Sequence, residues 1–431
     1  MSKMNSNIPK LRFPEFRDAG EWDEKKLEQL GELISGLTYS PDDIRDNGLL
    51  VLRSSNVQNG EITLKDNVFV TPDIKGANLS QPNDILICVR NGSKALIGKN
   101  ALIPEGMPLC THGAFMTIFR SKAADFVFQL FQTQAYYRQV AGDLGATINS
   151  INGRRFIQYC FRVPEPKEQQ KIADCLSSID ELITLHTQKH KALKAHKKGL
   201  MQQLFSAEGE TVPKLRFPEF RDAGEWKEIK FIDVADKKIK WSFIGGPFGS
   251  NLKSSDYVTE GIRIIQLQNI GDAEFKDDYK IFTSEEKANE LLSNNIYPGE
   301  IILSKMGDPV GRACLIPSTH SRYVMCSDGI RLVVDEKQFS KYFIYTLINS
   351  IIFRALVEKT ATGSTRKRIG LDNLKKLPMI VPKHDEQHKI ADCLSSIDEL
   401  ITSQDKKVES LKTHKKGLMQ QLFPSIYEVE V

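Results

Sequence analysis

The chain has 431 residues, with 59 lysines and arginines against 55 aspartates and glutamates, for a formal charge of +4. Hydrophobic residues at 40% and charged ones at 26% exclude wholesale disorder and fit several globular domains of roughly 100–200 residues each. With no stretch near ~18 uninterrupted apolar residues, no apolar run in the opening MSKMNSNIPK and seven cysteines without a C-x-x-C pair, a cytoplasmic protein with free thiols is expected, without a membrane span or secretory leader.

Three strings occur twice. PKLRFPEFRDAGEW fills 9–22 and 213–226, KIADCLSSIDELIT fills 171–184 and 389–402, and HKKGLMQQLF fills 196–205 and 414–423. Repetition at this length marks two copies of one architectural unit. Between the repeats only fragments agree, such as QPNDILI (81–87) with YPGEIIL (297–303) and GKNALIP (98–104) with GRACLIP (311–317). Drift would erode every segment alike, so the pattern favours a framework held constant around inserts varied for specificity.

The first insert opens with the β-rich runs GLLVLRSSNV, DILICVR and AFMTIFR, separated by Gly, Pro and Asn turns. Arg53, Asn56 and Gln58 follow the first run, and Arg90 and Lys94 follow the second. These side chains suit contact with DNA, and each turn reads equally well as merely capped. One helix is expected over 124–141. The polar loop behind it carries Thr147 and Asn149, followed by Asn152, Arg154 and Arg155. Asn and Arg can read adenine and guanine edges bidentately, and hydroxyls and guanidinium groups can hold phosphates. An apolar strand, FIQYCFRVP, then runs to Pro164 and Pro166.

From Ile172 the apolar positions advance in steps of four and three: Ile172, Leu176, Ile179 and Ile183, then Leu193, Leu200 and Leu204, with His186, His190 and Lys197 completing the row. This is the seam of a coiled coil. Its first half holds Asp174, Asp180 and Glu181, while its second half holds Lys189, Lys191, Lys194, Lys197 and Lys198.

The second insert repeats the order, with GIRIIQLQNI, EIILSKM and GIRLVV, one helix expected over 340–360, a loop and the strand LKKLPMIVP. Its candidate DNA contacts are Gln266, Gln268, Asn269 and Lys305, with Ser364, Thr365, Arg366, Lys367 and Arg368 in the loop after Gly363. The second seam reads Ile390, Leu394, Ile397, Ile401, Val408, Leu411, Leu418 and Leu422. Parallel pairing of the two helices would stack Lys197 on Lys415, whereas antiparallel pairing sets basic halves beside acidic ones. The expected fold is therefore α+β, two pseudo-symmetric α/β modules joined by two long helices in an intramolecular antiparallel coiled coil. A coil of this length is about 51 Å long by helix rise, enough to span the separation of about 34–36 Å between successive major grooves. The expected divisions are 1–164 and 207–382 for the modules, with 165–206 and 383–431 for the helices.

No phosphate-binding G-x-x-x-x-G-K-[ST], dinucleotide G-x-G-x-x-G, Asn/Asp-Pro-Pro-aromatic motif, zinc-type Cys/His set or G-x-S-x-G elbow is present. His186 and His190 have metal-ligand spacing, but the second copy places Gln404 and Val408 there, and no metal is expected. Two other readings remain open at this point: a self-contained methyltransferase or nuclease with built-in specificity, and a coiled-coil scaffold that binds no DNA.

The helix starts PEPKEQQKIAD and PKHDEQHKIAD, each closing a variable module and each ending in KKGLMQQLF, resemble the DNA-specificity (S) subunit of Type I restriction–modification systems. GSTRKRIGLDNLKKLPMIVP looks like that family's approach to its second conserved helix, whereas TINSINGRRF lacks the basic triplet. The resemblance implies two target recognition domains, each reading half of a bipartite asymmetric site in double-stranded DNA. It implies helices that set the spacer and bind two methyltransferase (M) subunits. S-adenosylmethionine would sit on those subunits, ATP and Mg2+ would serve the restriction/translocase (R) subunits, and this chain would carry no catalysis and no cofactor.

Overall fold

The computed structural model describes residues 8–144, 149–363 and 366–424. It divides into two compact units, one formed by the chain up to Thr187 together with the segment from Lys406, the other by Gln188–Asp405. The helices Pro166–Leu204 and His384–Leu422, of 39 residues each, are thus shared. Each gives its first half to the unit of the module before it and its second half to the other unit.

In the first unit the strands Ile44–Arg45, Val68–Val70, Leu49–Leu52 and Cys110–His112 form one sheet, with the last two parallel. Glu32–Ser35, Met116–Arg120, Ile85–Cys88 and Asn100–Leu102 form an antiparallel second sheet. Leu49–Leu52 and Ile85–Cys88 are buried at every residue, which is why they read as continuous apolar runs without alternation. The second unit repeats this plan. Ile262–Ile265 lies parallel to Tyr323–Met325, and Phe243–Gly245, Gly329–Leu332, Ile301–Ser304 and Ala313–Leu315 form the antiparallel sheet.

The single helices expected over 124–141 and 340–360 are each two: Ala124–Leu130 then Gln134–Asp143, and Lys341–Ile348 then Ile351–Thr360. Caps cause the breaks. The hydroxyls of Thr133 and Ser350 accept from the backbone N–H of Tyr136 and Phe353, starting a new helix where the apolar periodicity alone would continue the old one. Short strands unforeseen from sequence, Asp23–Lys26 and Lys227–Lys230, follow the first repeated string and pair antiparallel with Cys160–Val163 and Pro378–Val381.

The repeated strings meet one another in each unit. Arg12 donates from Nε and Nη2 to both carboxylate oxygens of Glu168, each at 2.7 Å, and Arg216 does the same to Glu386. The Leu11 N–H donates to the Gln421 carbonyl and the Leu215 N–H to the Gln203 carbonyl, both at 2.9 Å. Trp22 packs edge-on against Phe126 and Phe423, and Trp226 packs against Phe343, which in turn meets Phe205. Each module is therefore clamped to the start of the helix that follows it and to the end of the other helix.

Helix pairing is antiparallel within each unit. Lys415 bonds Asp180 in the first; Lys197 bonds Asp398 in the second, where His190 also lies 3.5 Å from Asp405. As one partner rises through 180, 190 and 197, the other falls through 415, 405 and 398 by equal steps. The two lysines that parallel pairing would have stacked each meet an aspartate of the other helix. Among seam residues, Ile172, Leu176, Ile179, Leu204, Ile390, Leu394, Ile397, Val408 and Leu422 are buried. Ile183, Leu193, Leu200, Ile401, Leu411 and Leu418 are half-buried, while Leu182, Leu185 and Leu400 lie off the seam and are exposed. All seven cysteines are free thiols, and burial pushes Cys314 up to about 12 and Cys326 to about 11.

Candidate nucleic-acid interface

In each module the end of one central strand gathers the turns of three other segments. In the first, the N–H groups of Val89 and Arg90 donate to the Phe115 carbonyl, and the Ile151 N–H donates to the Val89 carbonyl at 2.8 Å. Asn149 donates from Nδ2 to the Gly92 carbonyl, and Asn91 from Nδ2 to Ser54 Oγ. In the second, the Lys305 N–H donates to the Asp328 carbonyl at 2.6 Å and the Ile369 N–H to the Lys305 carbonyl at 3.0 Å. The Gly307 N–H meets the Lys367 carbonyl, and the Cys326 N–H meets that of Ile265. A Cβ on Gly36 or Gly246 would overlap the carbonyl oxygen of Gly113 or Cys326, so only glycine allows these segments to close up.

These bonds align the two modules residue by residue. Arg90 bridges Ser150 as Met306 bridges Arg368, which sets Ser150 and Arg368 at one equivalent position and Phe115 and Asp328 at another. Lys305 is consequently the counterpart of Val89, as the match of 81–87 with 297–303 implies when continued along the strand.

Most of the residues expected to contact DNA lie on these turns or beside them in the chain. Arg53 is half-buried and pairs with Asp66 at 2.8 Å, while the exposed Gln58 donates to the Ser55 carbonyl. Arg90 is exposed and lies over the Phe115 ring at 5.6 Å, and Lys94 is exposed on the same turn. Arg154 is exposed, and Arg155 pairs with Asp143 at 3.3 Å. In the second module Gln266 donates to the Tyr257 hydroxyl, Gln268 and Arg366 are exposed, and Lys305 is half-buried. Lys367 pairs with Glu358, and Arg368 with Asp328. Thr147, Ser364 and Thr365 lie outside the described residues.

Two asparagines need correction. Asn56 and Asn269 are fully buried. Their Oδ1 atoms accept the N–H of Arg53 and Gln266, and their Nδ2 atoms donate to the carbonyls of Thr63 and Asp66, and of Lys276 and Tyr279. With every polar atom engaged inside the fold, neither can meet a base; each fixes the turn that presents its neighbours. Asn152 caps the Gly153–Phe156 helix by accepting the Arg154 N–H at 2.9 Å. Replacing Asn269 with Ala should leave buried backbone groups unpaired and cost about 1–3 kcal/mol, read by equilibrium unfolding. A change below the error of that measurement would remove it from this structural role.

Phe115 and Asp328 were not legible as site residues. The return of the last sheet strand brings them in, and the only sequence signal was the turn ahead of AFMTIFR and GIRLVV. Among the described residues no group of three or more His, Cys, Asp and Glu side chains could hold a metal, and no helix is long and apolar enough to cross a membrane. His384 and His388 face each other at an exposed helix start, Nε2 to Nε2 at 3.2 Å.

The model of the Type I restriction modification DNA specificity domain matches residues 19–195 and 257–413, each match covering module sequence and most of a long helix. The chain belongs to that family. It is 23% identical over 437 residues to the StySPI specificity subunit of Salmonella potsdam, covering 95% of this chain and 89% of that one. It is also 23% identical over 284 residues to the MjaVIII specificity subunit of Methanocaldococcus jannaschii, where the match spans 64% of either chain. The crystal structure of the Type I S subunit from M. genitalium shares the fold at a TM-score of 0.59 and 16% identity, over 97% of this chain and 100% of that one. This is a DNA sequence-specificity subunit with two recognition domains. The family is non-catalytic, so its chemistry is that of recognition, and the two gathered sets of turns are the specificity subunit's candidate reading surfaces.

Proposed function

We propose that the two domains read the two halves of a bipartite, asymmetric sequence in double-stranded DNA, while the paired helices set the spacer and bind two methyltransferase subunits. Restriction/translocase subunits complete the assembly in the cytoplasm. S-adenosylmethionine belongs to the methyltransferases, ATP and Mg2+ to the motor and its nuclease, and this chain holds no cofactor. The observation that carries the reading is the same assembly of turns built twice on the same clamp, with different side chains at equivalent positions. Unlike domains imply a site without palindromy, since palindromy mirrors true two-fold symmetry in the protein. The second domain (227–381) has 23 basic against 19 acidic residues and the first (23–163) only 15 against 14, so partners share the neutralisation of phosphates.

Methylome sequencing of cells carrying this chain with its methyltransferase tests the reading. Exchanging residues 227–381 for another insert should change one half of the methylated motif and leave the other half and the spacer alone. A change in both halves, or in neither, would overturn the division of labour. Methylation or cutting by the purified chain alone, with DNA, S-adenosylmethionine, ATP and Mg2+, would overturn its non-catalytic role.

A further inference from the structure

We propose that Arg368 reads a guanine in the half-site taken by the second domain, and that Asp328 is the positioning residue that aims it; this rests on the DNA-reading role above. Arg368 is held by its backbone on both sides. Its N–H donates to the Thr362 carbonyl at 2.8 Å, its carbonyl accepts the Thr362 N–H at 2.9 Å, and it bridges Met306 on the other side. Its side chain is 51% exposed, yet Nη2 is bonded to Asp328 Oδ1 at 2.6 Å, and that carboxylate is only 15% exposed. Asp328 is fixed in turn, since its carbonyl accepts the Lys305 N–H.

The arrangement argues against a phosphate site. A carboxylate placed beside the arginine repels a phosphate, so the pair is poorly suited to the backbone of DNA. It is well suited to a base edge. One nitrogen of a planar guanidinium with five N–H donors is anchored, and an anchored fork loses less rotamer freedom when it meets the O6 and N7 acceptors of guanine. The neighbours differ. Lys367 pairs with Glu358 between half-exposed side chains, whereas Arg366 is exposed, which suits Arg366 to phosphate contact. In the first domain the equivalent positions hold Ser150 and Phe115, and the nearby Arg90 lies over the Phe115 ring without a carboxylate partner among the described residues. At this position, between the end of the central strand and the returning strand, the anchored arginine therefore belongs to the second domain alone.

The test uses the complex of this chain with its methyltransferase subunits. First, the exchange of residues 227–381 identifies the half-site that follows the second domain. Arg368→Ala should then relax one guanine position in that half by about tenfold or more, while the slope of log affinity against log salt stays unchanged. Asp328→Asn should relax the same position to a smaller extent, with the same slope. Undiminished recognition of the other half-site shows that both variants are folded. Weakening that is uniform across sequences, with the slope reduced by about one unit, would make Arg368 a phosphate contact and overturn the proposal. So would an unchanged preference, or a loss spread over several positions. If the target does not follow the second domain in the exchange, the underlying functional reading fails; if it does and Arg368→Ala changes nothing, only the present inference fails.

Discussion

Ending the chain at residue 413 is expected to unfold the first module and spare the second. The last repeated string lies farthest in sequence from the first module, yet Leu422 and Phe423 are buried in that module's core, with Leu418 and Met419 packed against it. The Phe423 ring sits 6.1 Å from Trp22 and 5.8 Å from Phe126, centroid to centroid. Removing the string takes away these contacts, the Lys415–Asp180 bond and the carbonyl of Gln421 that accepts the Leu11 N–H. At about 1.5–3 kcal/mol for each large apolar side chain, the apolar part alone reaches about 5 kcal/mol or more, comparable with the whole stability of many domains. Limited proteolysis followed by mass spectrometry should show early cuts within residues 23–163 and continued protection of 227–381. Equal protection of both modules would mean that the clamp on the first module is dispensable.

Arg216→Ala should destabilise the second unit by about 3–5 kcal/mol, the usual cost of leaving one member of a buried ion pair without its partner. Arg216 and Glu386 are 8% and 2% exposed, and their bidentate bond joins residues 170 apart in sequence. Trp226 Nε1 also donates to Glu386 at 3.3 Å, so the carboxylate serves two donors of the repeated string. Replacing both partners, Arg216→Met with Glu386→Leu, should recover part of the loss, short of full recovery because the indole N–H then lacks an acceptor. Arg12→Ala should do the same to the first unit through Glu168. Equilibrium unfolding of the three variants beside the parent measures this, and a loss below about 1 kcal/mol for Arg216→Ala would show that water or another group replaces the arginine.

Much of the framework was legible. The seam residues all lie at buried or half-buried positions, because a four–three periodicity reports the face that one helix must cover, whatever covers it. Antiparallel order was legible from charge, since parallel pairing would stack Lys197 on Lys415, whereas in the antiparallel pair each lysine meets an aspartate of the other helix. The candidate site was legible less evenly. Arg90 and Asn149 converge in the first module and Lys305 and Arg368 in the second, but Asn56 and Asn269 are spent inside turns, a use that the same residue type serves as readily as base contact.

The sequence by itself determined that this protein is one design used twice, with constant helices, varied α/β modules and an antiparallel coil. Identity of strings and periodicity of apolar residues are properties of the chain alone, and they survive without knowledge of any neighbour. Tertiary structure decided which helix end belongs to which module, which asparagines turn inward, and that Asp328 stands against Arg368. Those outcomes depend on which distant segments share one small volume: Arg216 with Glu386, Leu11 with Gln421, Asp328 with residues 40 positions away. Only the closed fold sets those neighbours, because a side chain's burial and partners are fixed by packing between segments and by no local pattern.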